Sequence, residues 1–102
     1  MIRGQLPHRF EERGASRQLL PAPGYQRSRI ALGDSAPTAG IVAALELSAA
    51  SRPYAMPAFP GTIVRVLRSP RYGDYPALRL YYSVDDTAIR LLRIEHYDEL
   101  EP

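Results

Sequence analysis

The sequence contains no cysteine, no lysine and no long apolar run, and each absence excludes a class of structure or chemistry. Without cysteine, neither disulfides nor thiolate-bound metals can stabilise the fold. No stretch approaches the roughly 18 apolar residues of a membrane-spanning helix. Residues 1–30 lack the charged start and apolar segment of a secretory signal. We therefore expect a soluble, cytoplasmic protein with one small domain, because 102 residues are too few for two.

All 13 basic residues are arginines. Arginine stays protonated in proteins, so it can bind phosphate or carboxylate but cannot act as an acid or a base. A cationic acid or base that works near pH 7 would therefore have to be histidine. Residues 61–93 hold six arginines against three acids, whereas residues 94–102 hold four acids and no arginine. A basic body with an acidic end indicates a polyanionic or acidic partner, and an ordinary solvated surface is the simpler alternative.

The pattern of apolar residues predicts an α+β fold. Apolar residues recur at helical spacing over about 37–51, and Asp34 or Ser35 can cap a helix there. Residues 61–69 and 77–84 read as strands, with successive side chains on opposite faces. We expect a small antiparallel sheet, formed as a C-terminal β-meander, with the helix packed on one face.

We expect residues 35–102 to form this single domain. Residues 1–34 are predicted to be an irregular or partly disordered arm, because prolines and glycines punctuate them and no period is sustained. Within this arm we expect at most one helical turn around 9–20 and a short edge strand at 25–32.

The residues after the second strand fit either a helix or a third strand. Residues 85–87 can form a hairpin turn or cap a helix. A helix would place Glu95 and Asp98 where apolar residues should recur. A strand over 88–97 needs a β-bulge near 91–92 or burial on both faces, because its apolar residues change phase there. We predict the strand.

The segment ALRLYYSVDDTAIRLLRIEHYDEL resembles the end of the RelE/ParE family, the small toxins of type II toxin–antitoxin pairs. Arg79 sits where the family has an arginine in its penultimate strand, and 82–84 resembles its Y-x-V motif. His96 and Tyr97 fall near the polar end of its last strand. The resemblance covers about residues 61–100 and implies a RelE/ParE-like fold. That fold begins with a strand and a two-helix hairpin, whereas only one short helix is evident in this sequence.

The resemblance leaves three functions open. Members of the RelE branch are ribosome-dependent mRNA endoribonucleases, in which a ribose 2′-OH attacks the adjacent phosphate. Members of the ParE branch target DNA gyrase, so a non-catalytic inhibitor or binding module acting on a protein is the alternative. A degenerate domain without activity is the third. The resemblance implies a cognate antitoxin as partner, with the ribosome and mRNA if the chain is RelE-like, and no metal, membrane or small-molecule cofactor.

The nuclease hypothesis gives two sets of candidate residues. The catalytic set is His96 for proton transfer, with Arg79 and Tyr97. The RNA-binding set holds arginines for phosphate and a tyrosine for a base, namely Arg65, Arg68, Arg71, Arg93 and Tyr81. Each type also has a simpler explanation. A histidine at a strand end is often a hydrogen-bonded surface residue, strand arginines often form a solvated face, and tyrosine favours strands.

Overall fold

A computed structural model describes residues 17–97. Over this range the chain has an α+β fold of two helices and a four-stranded sheet. In chain order the elements are β1 (Gln18–Pro21), α1 (Pro23–Leu32), α2 (Ala36–Ser51), β2 (Arg65–Arg68), β3 (Ala77–Val84) and β4 (Ala88–Tyr97). The strand order is β1-β4-β3-β2. Neither of these two helices is long and apolar enough to cross a membrane.

The helix predicted over 37–51 is confirmed as α2. The Ser35 hydroxyl accepts a hydrogen bond from the backbone N–H of Thr38 at 3.3 Å and caps the first turn. Pro37 is tolerated in that turn, because the N–H it lacks would have no partner inside the helix. The helix packs onto the sheet through the residues it buries, which are Thr38, Val42, Leu45 and Ala49.

The predicted hairpin of 77–84 and 88–97 is confirmed as β3 and β4. The Asp85 carboxylate accepts hydrogen bonds from the backbone N–H groups of Thr87 and Ala88, at 3.0 and 2.8 Å. These bonds lower the pKa of the Asp85 carboxyl. Such bonds can also cap a helix, but the Asp85 N–H donates to the carbonyl of Ala88 at 2.9 Å and 88–97 pair with 77–84, so the turn closes a hairpin.

The irregularity predicted in the last strand is a β-bulge. Tyr81 pairs with Arg93, whereas the next residue, Tyr82, pairs with Leu91. Leu92 is therefore the extra residue of β4, without a partner in β3. In a strand without a bulge, Ile94 would point to the opposite face from Ile89 and Leu91. With the bulge, all three lie on the same face and are buried.

The edge strand predicted at 25–32 is wrong, because these residues lie in α1. Pro23 stands in the first turn of this helix, where proline is favoured. Tyr25 is buried in the core, and the Arg29 side chain donates to the carbonyl of Gly33 at 2.6 Å at the other end. The strand preference of individual residues is weak, and these tertiary and capping contacts outweigh it over 25–32.

The arm predicted over 1–34 also differs from the structure, since its second half contains β1 and α1. The predicted C-terminal β-meander is confirmed as the antiparallel strands β2, β3 and β4. β1 adds to it parallel to β4, so the whole sheet is mixed. A four-residue strand is too short to show a period in the sequence. Residues 1–16 and 98–102, with most of the helical turn predicted around 9–20, lie outside the described residues.

The strand predicted over 61–69 is shorter than expected, because β2 spans four residues. Gly61 has a φ of 76°, in the left-handed region that favours glycine. The Thr62 hydroxyl donates to the carbonyl of Phe59 at 3.0 Å and accepts from the N–H of Val64 at 3.1 Å. These bonds hold a turn where the strand was expected to begin.

Both helices cover the same face of the sheet. Tyr25 of α1 and Val42 of α2 belong to one apolar core with the inward residues of β3 and β4. Tyr82 lies at its centre, fully buried, and its hydroxyl donates to the carbonyl of Pro53 at 2.9 Å. The strands contribute Leu78, Leu80, Tyr82, Ile89, Leu91 and Ile94 to this core. The other face of the sheet is not covered by these two helices, so a strand residue on that face can be accessible to a ligand.

Candidate functional site

Polar side chains gather on the face of the sheet that points away from the helices. Residues directly opposite each other in antiparallel strands project to the same face. Arg79 is opposite Glu95 on one side and Arg68 on the other, and Tyr81 is opposite Arg93. We call this surface the arginine–tyrosine face and define it by Arg68, Arg79, Tyr81, Arg93, Glu95 and Tyr97.

The Glu95 carboxylate connects the members of this face. It accepts hydrogen bonds from the Nε atoms of Arg79 and Arg93, each at 2.7 Å. It also accepts one from the Tyr81 hydroxyl at 3.1 Å. Partial burial acts to raise the pKa of the Glu95 carboxyl, but these three hydrogen bonds outweigh it and the pKa lies below its ordinary value. Glu95 is therefore ionised at neutral pH, and its hydrogen bonds hold the side chains of Arg79, Arg93 and Tyr81 in place.

The tyrosines of the face lie against the arginines. The guanidinium carbon of Arg79 is 5.2 Å from the ring centre of Tyr97 and 5.8 Å from that of Tyr81. Arg68 lies 5.8 Å from the ring of Tyr97. These are cation–π distances. Burial, followed by the charge of Glu95, raises the pKa of the Tyr81 hydroxyl, so that group remains a hydrogen-bond donor.

The face as defined carries an excess of positive charge, because it holds three arginines and one carboxylate. Arginine donors arranged in this way can bind phosphate or carboxylate oxygens, and the aromatic rings beside them can stack on an unpaired base. The arrangement is therefore suited to binding an anion with an attached ring, such as a nucleotide within a single-stranded nucleic acid.

His96 lies on the opposite face from the arginines. It pairs with Leu78, a core residue, whereas its neighbour Tyr97 pairs with Ala77 and belongs to the arginine–tyrosine face. The exposed His96 Nε2 lies 3.4 Å from the Tyr75 hydroxyl, and the two rings meet edge to face at 5.7 Å. Consecutive strand residues point to opposite faces, so the predicted catalytic set is divided.

Two of the predicted RNA-binding arginines also lie apart from the face. Arg65 donates to the carbonyl of Met56 and lies over the ring of Tyr54, 4.9 Å from its centre. Arg71 is exposed in the loop between β2 and β3. Five of the eight predicted site residues are therefore brought together by the sheet, and these are Arg68, Arg79, Tyr81, Arg93 and Tyr97.

Glu95 is the member of the face that sequence reasoning missed. In the sequence it is one of the acids of the chain end and, in a helix, an interruption of the apolar stripe. The signal that could have identified it is its spacing of two residues from Arg93, which places both on one face of a strand. Its partners Arg79 and Tyr81 have the same spacing in the preceding strand.

Comparison with models of known protein families finds no match for this chain, and comparison with curated proteins finds none either.

Proposed function

We propose that this chain is the toxin of a type II toxin–antitoxin pair, a RelE-like endoribonuclease that cleaves mRNA on the ribosome. The observation that carries the proposal is the arginine–tyrosine face, where Arg68, Arg79 and Arg93 lie together with Tyr81 and Tyr97. Guanidinium groups bind phosphate through charge and paired N–H donors, and tyrosine rings stack on unpaired bases. A face with both groups suits single-stranded RNA.

The order of the elements also supports the proposal. The RelE/ParE resemblance implies one strand and two helices ahead of a three-stranded meander, and β1, α1 and α2 stand in that order before β2. A substrate held on the ribosome implies a cytoplasmic protein. The partner that would neutralise it is a cognate antitoxin.

In this proposal the face stabilises the charge that develops on the phosphate. The ribose 2′-oxygen forms a bond to phosphorus and gives its proton to a base, while the bond from phosphorus to the 5′-oxygen breaks and that oxygen takes a proton from an acid. Arg68, Arg79 and Arg93 would bind the phosphate oxygens as negative charge accumulates. Glu95 orients two of these arginines through their Nε atoms, so we assign it a positioning role.

A second candidate is a ParE-like inhibitor that binds a protein target, such as DNA gyrase, without catalysis. One observation favours it: His96 is on the other face from Arg79 and Tyr97. The arginine–tyrosine face as defined thus contains no histidine for proton transfer. Under this alternative the same arginines would bind an acidic surface of the target.

Induced expression in bacterial cells, with and without the neighbouring gene, tests both candidates. Growth and cleavage of ribosome-bound mRNA are measured for the wild type, Arg79→Ala, His96→Ala and Arg52→Ala. Arg52 is an exposed arginine at the end of α2 and serves as the matched control. The RelE-like proposal expects growth arrest with cleaved mRNA for the wild type and Arg52→Ala, and neither effect for Arg79→Ala. It expects slower cleavage for His96→Ala, because histidine is suited to proton transfer near pH 7.

Three other results would point elsewhere. Growth arrest without cleaved mRNA would favour the ParE-like inhibitor. Normal growth of cells that express the wild-type chain would contradict both candidates and favour a domain without activity. Cleavage that survives Arg79→Ala but not His96→Ala would assign the chemistry to the other face of the sheet.

A further inference from the structure

A groove of about 450 Å³ lies between α1 and the outer edge of β4. β1 pairs with β4 only as far as Leu91, so α1 rather than a strand flanks the edge from Leu92 onward within the described residues. The volume is in the range of sites that bind small ligands, about 300–1,000 Å³. The side chains that matter here are Arg27 and Ser28 from α1 and Arg93, Glu95 and His96 from β4.

The edge of β4 in this groove is blocked against strand addition. The backbone N–H of Ile94 donates to the Ser28 hydroxyl at 3.0 Å, so it is already paired. α1 also approaches the edge closely, since a Cβ placed on Gly24 would lie 3.2 Å from the carbonyl oxygen of Leu92. An extended peptide would have to displace both contacts to pair here. A ligand must instead be recognised by side chains.

The side chains of the groove favour an anion. Arg27 and Arg93 carry permanent positive charge, and both are exposed. His96 adds an exposed ring that can donate or accept a hydrogen bond. The one carboxylate among these five side chains, Glu95, is already bonded to two arginines and a tyrosine. The groove therefore offers donors for phosphate and a ring for a base or ribose.

Arg93 and Glu95 belong both to this groove and to the arginine–tyrosine face. The two surfaces are therefore continuous around the edge of β4. We infer that the groove binds a second nucleotide of the same single-stranded RNA, with Arg27 on its phosphate and His96 on its base or ribose. This inference rests on the proposed function, because the RNA is assumed to occupy the arginine–tyrosine face first.

Fluorescence anisotropy with two single-stranded RNAs, one of ten nucleotides and one of two, tests the inference. Affinities are measured at several salt concentrations for the wild type, Arg27→Ala, Arg79→Ala and the control Arg52→Ala. We expect Arg27→Ala to weaken binding of the longer RNA about tenfold, as the loss of one charge-assisted contact does. Its salt dependence should fall by about 0.7 in the slope of log K against log salt, because one phosphate contact is lost.

The shorter RNA separates the groove from the face. It should bind to the arginine–tyrosine face alone, so Arg27→Ala should leave its affinity unchanged while Arg79→Ala weakens it. If Arg79→Ala weakens both RNAs and Arg27→Ala weakens neither, the groove inference is overturned and the proposed function stands. If the wild type binds neither RNA, the groove inference is overturned, and the proposed function is judged separately by cleavage of ribosome-bound mRNA. If a polyglutamate peptide binds in an Arg27-dependent way and RNA does not, the groove takes an acidic protein segment and the inference is overturned.

Discussion

Replacing Glu95 by glutamine removes one charge from the centre of the arginine–tyrosine face and keeps the size of the side chain. The Glu95 side chain is only 22% exposed, so its ion pairs are partly shielded from solvent. Glutamine can still accept from Arg79 and Tyr81 through its remaining oxygen. Its NH₂ group, however, would then face the Nε–H of Arg93, and two donors cannot bond to each other.

The cost of this change follows from the exposure of each partner. With glutamine the guanidinium of Arg79 keeps its charge but loses the attraction of the carboxylate, so this hydrogen bond should weaken by about 1 kcal/mol. Arg93 is 64% exposed, so its pair with Glu95 contributes about 0–1 kcal/mol. We expect Glu95→Gln to lower the free energy of unfolding by about 1–2 kcal/mol at pH 7. For a domain of this size each kcal/mol corresponds to about 4–8 °C in Tm.

The same change should depend on pH in a defined direction. Because the pKa of Glu95 is lower in the folded chain than its ordinary value of 4.5, the stability from its charge is fully present above that value. It is lost as the pH falls through the lower pKa of the folded state, since protonated Glu95 resembles glutamine. Thermal unfolding of both chains between pH 7 and pH 3 should therefore show Tm values that converge in acid.

An exposed acid without these contacts provides the control. Asp74→Asn, in the turn between β2 and β3, should change Tm by little at any pH. A Tm difference for Glu95→Gln that stays constant from pH 7 to pH 3 would refute the assignment of the effect to the carboxylate charge. An unchanged Tm at pH 7 would refute the stabilising role of the three hydrogen bonds.

Three further substitutions test the packing, each by its effect on Tm at pH 7. Gly40→Ala in α2 should stabilise the fold by about 0.5–1 kcal/mol, because alanine favours a helix and its methyl group would meet open space. Gly24→Ala in α1 should instead destabilise it, because the methyl group would press on the carbonyl oxygen of Leu92. Tyr82→Phe should cost about 1–2 kcal/mol, because the carbonyl of Pro53 would lose its buried partner.

The elements from α2 onward could be predicted from local pattern, whereas β1 and α1 could not. α2 has a capping serine and a regular apolar stripe, and β3 alternates cleanly. In α1 the sole buried residue is Tyr25, so no helical period is visible over 23–32. β1 is defined by its pairing with β4, a contact distant in sequence. Such elements depend on tertiary structure that local pattern does not encode.

The types of residue in the candidate site could be predicted from the sequence. Which of them share one face of the sheet could not. Arg79 and Tyr81 alternate with the apolar residues of a clear strand, so their shared face was evident. The faces of Arg93, His96 and Tyr97 depended on the location of the bulge. Once Leu92 is the unpaired residue, alternation assigns His96 to the helix side and the other two to the arginine–tyrosine face.

The bulge also affects how chains related to this one should be aligned. All eight residues of β3 have partners in β4, and Leu92 is skipped, so a chain that lacked Leu92 could keep every one of these pairs. Two homologues with the same arginine–tyrosine face can therefore differ in length by one residue inside a strand. Sequence alignments ordinarily place gaps in loops and not in strands. Aligned without that gap, the arginines of one chain would be matched to the core residues of the other.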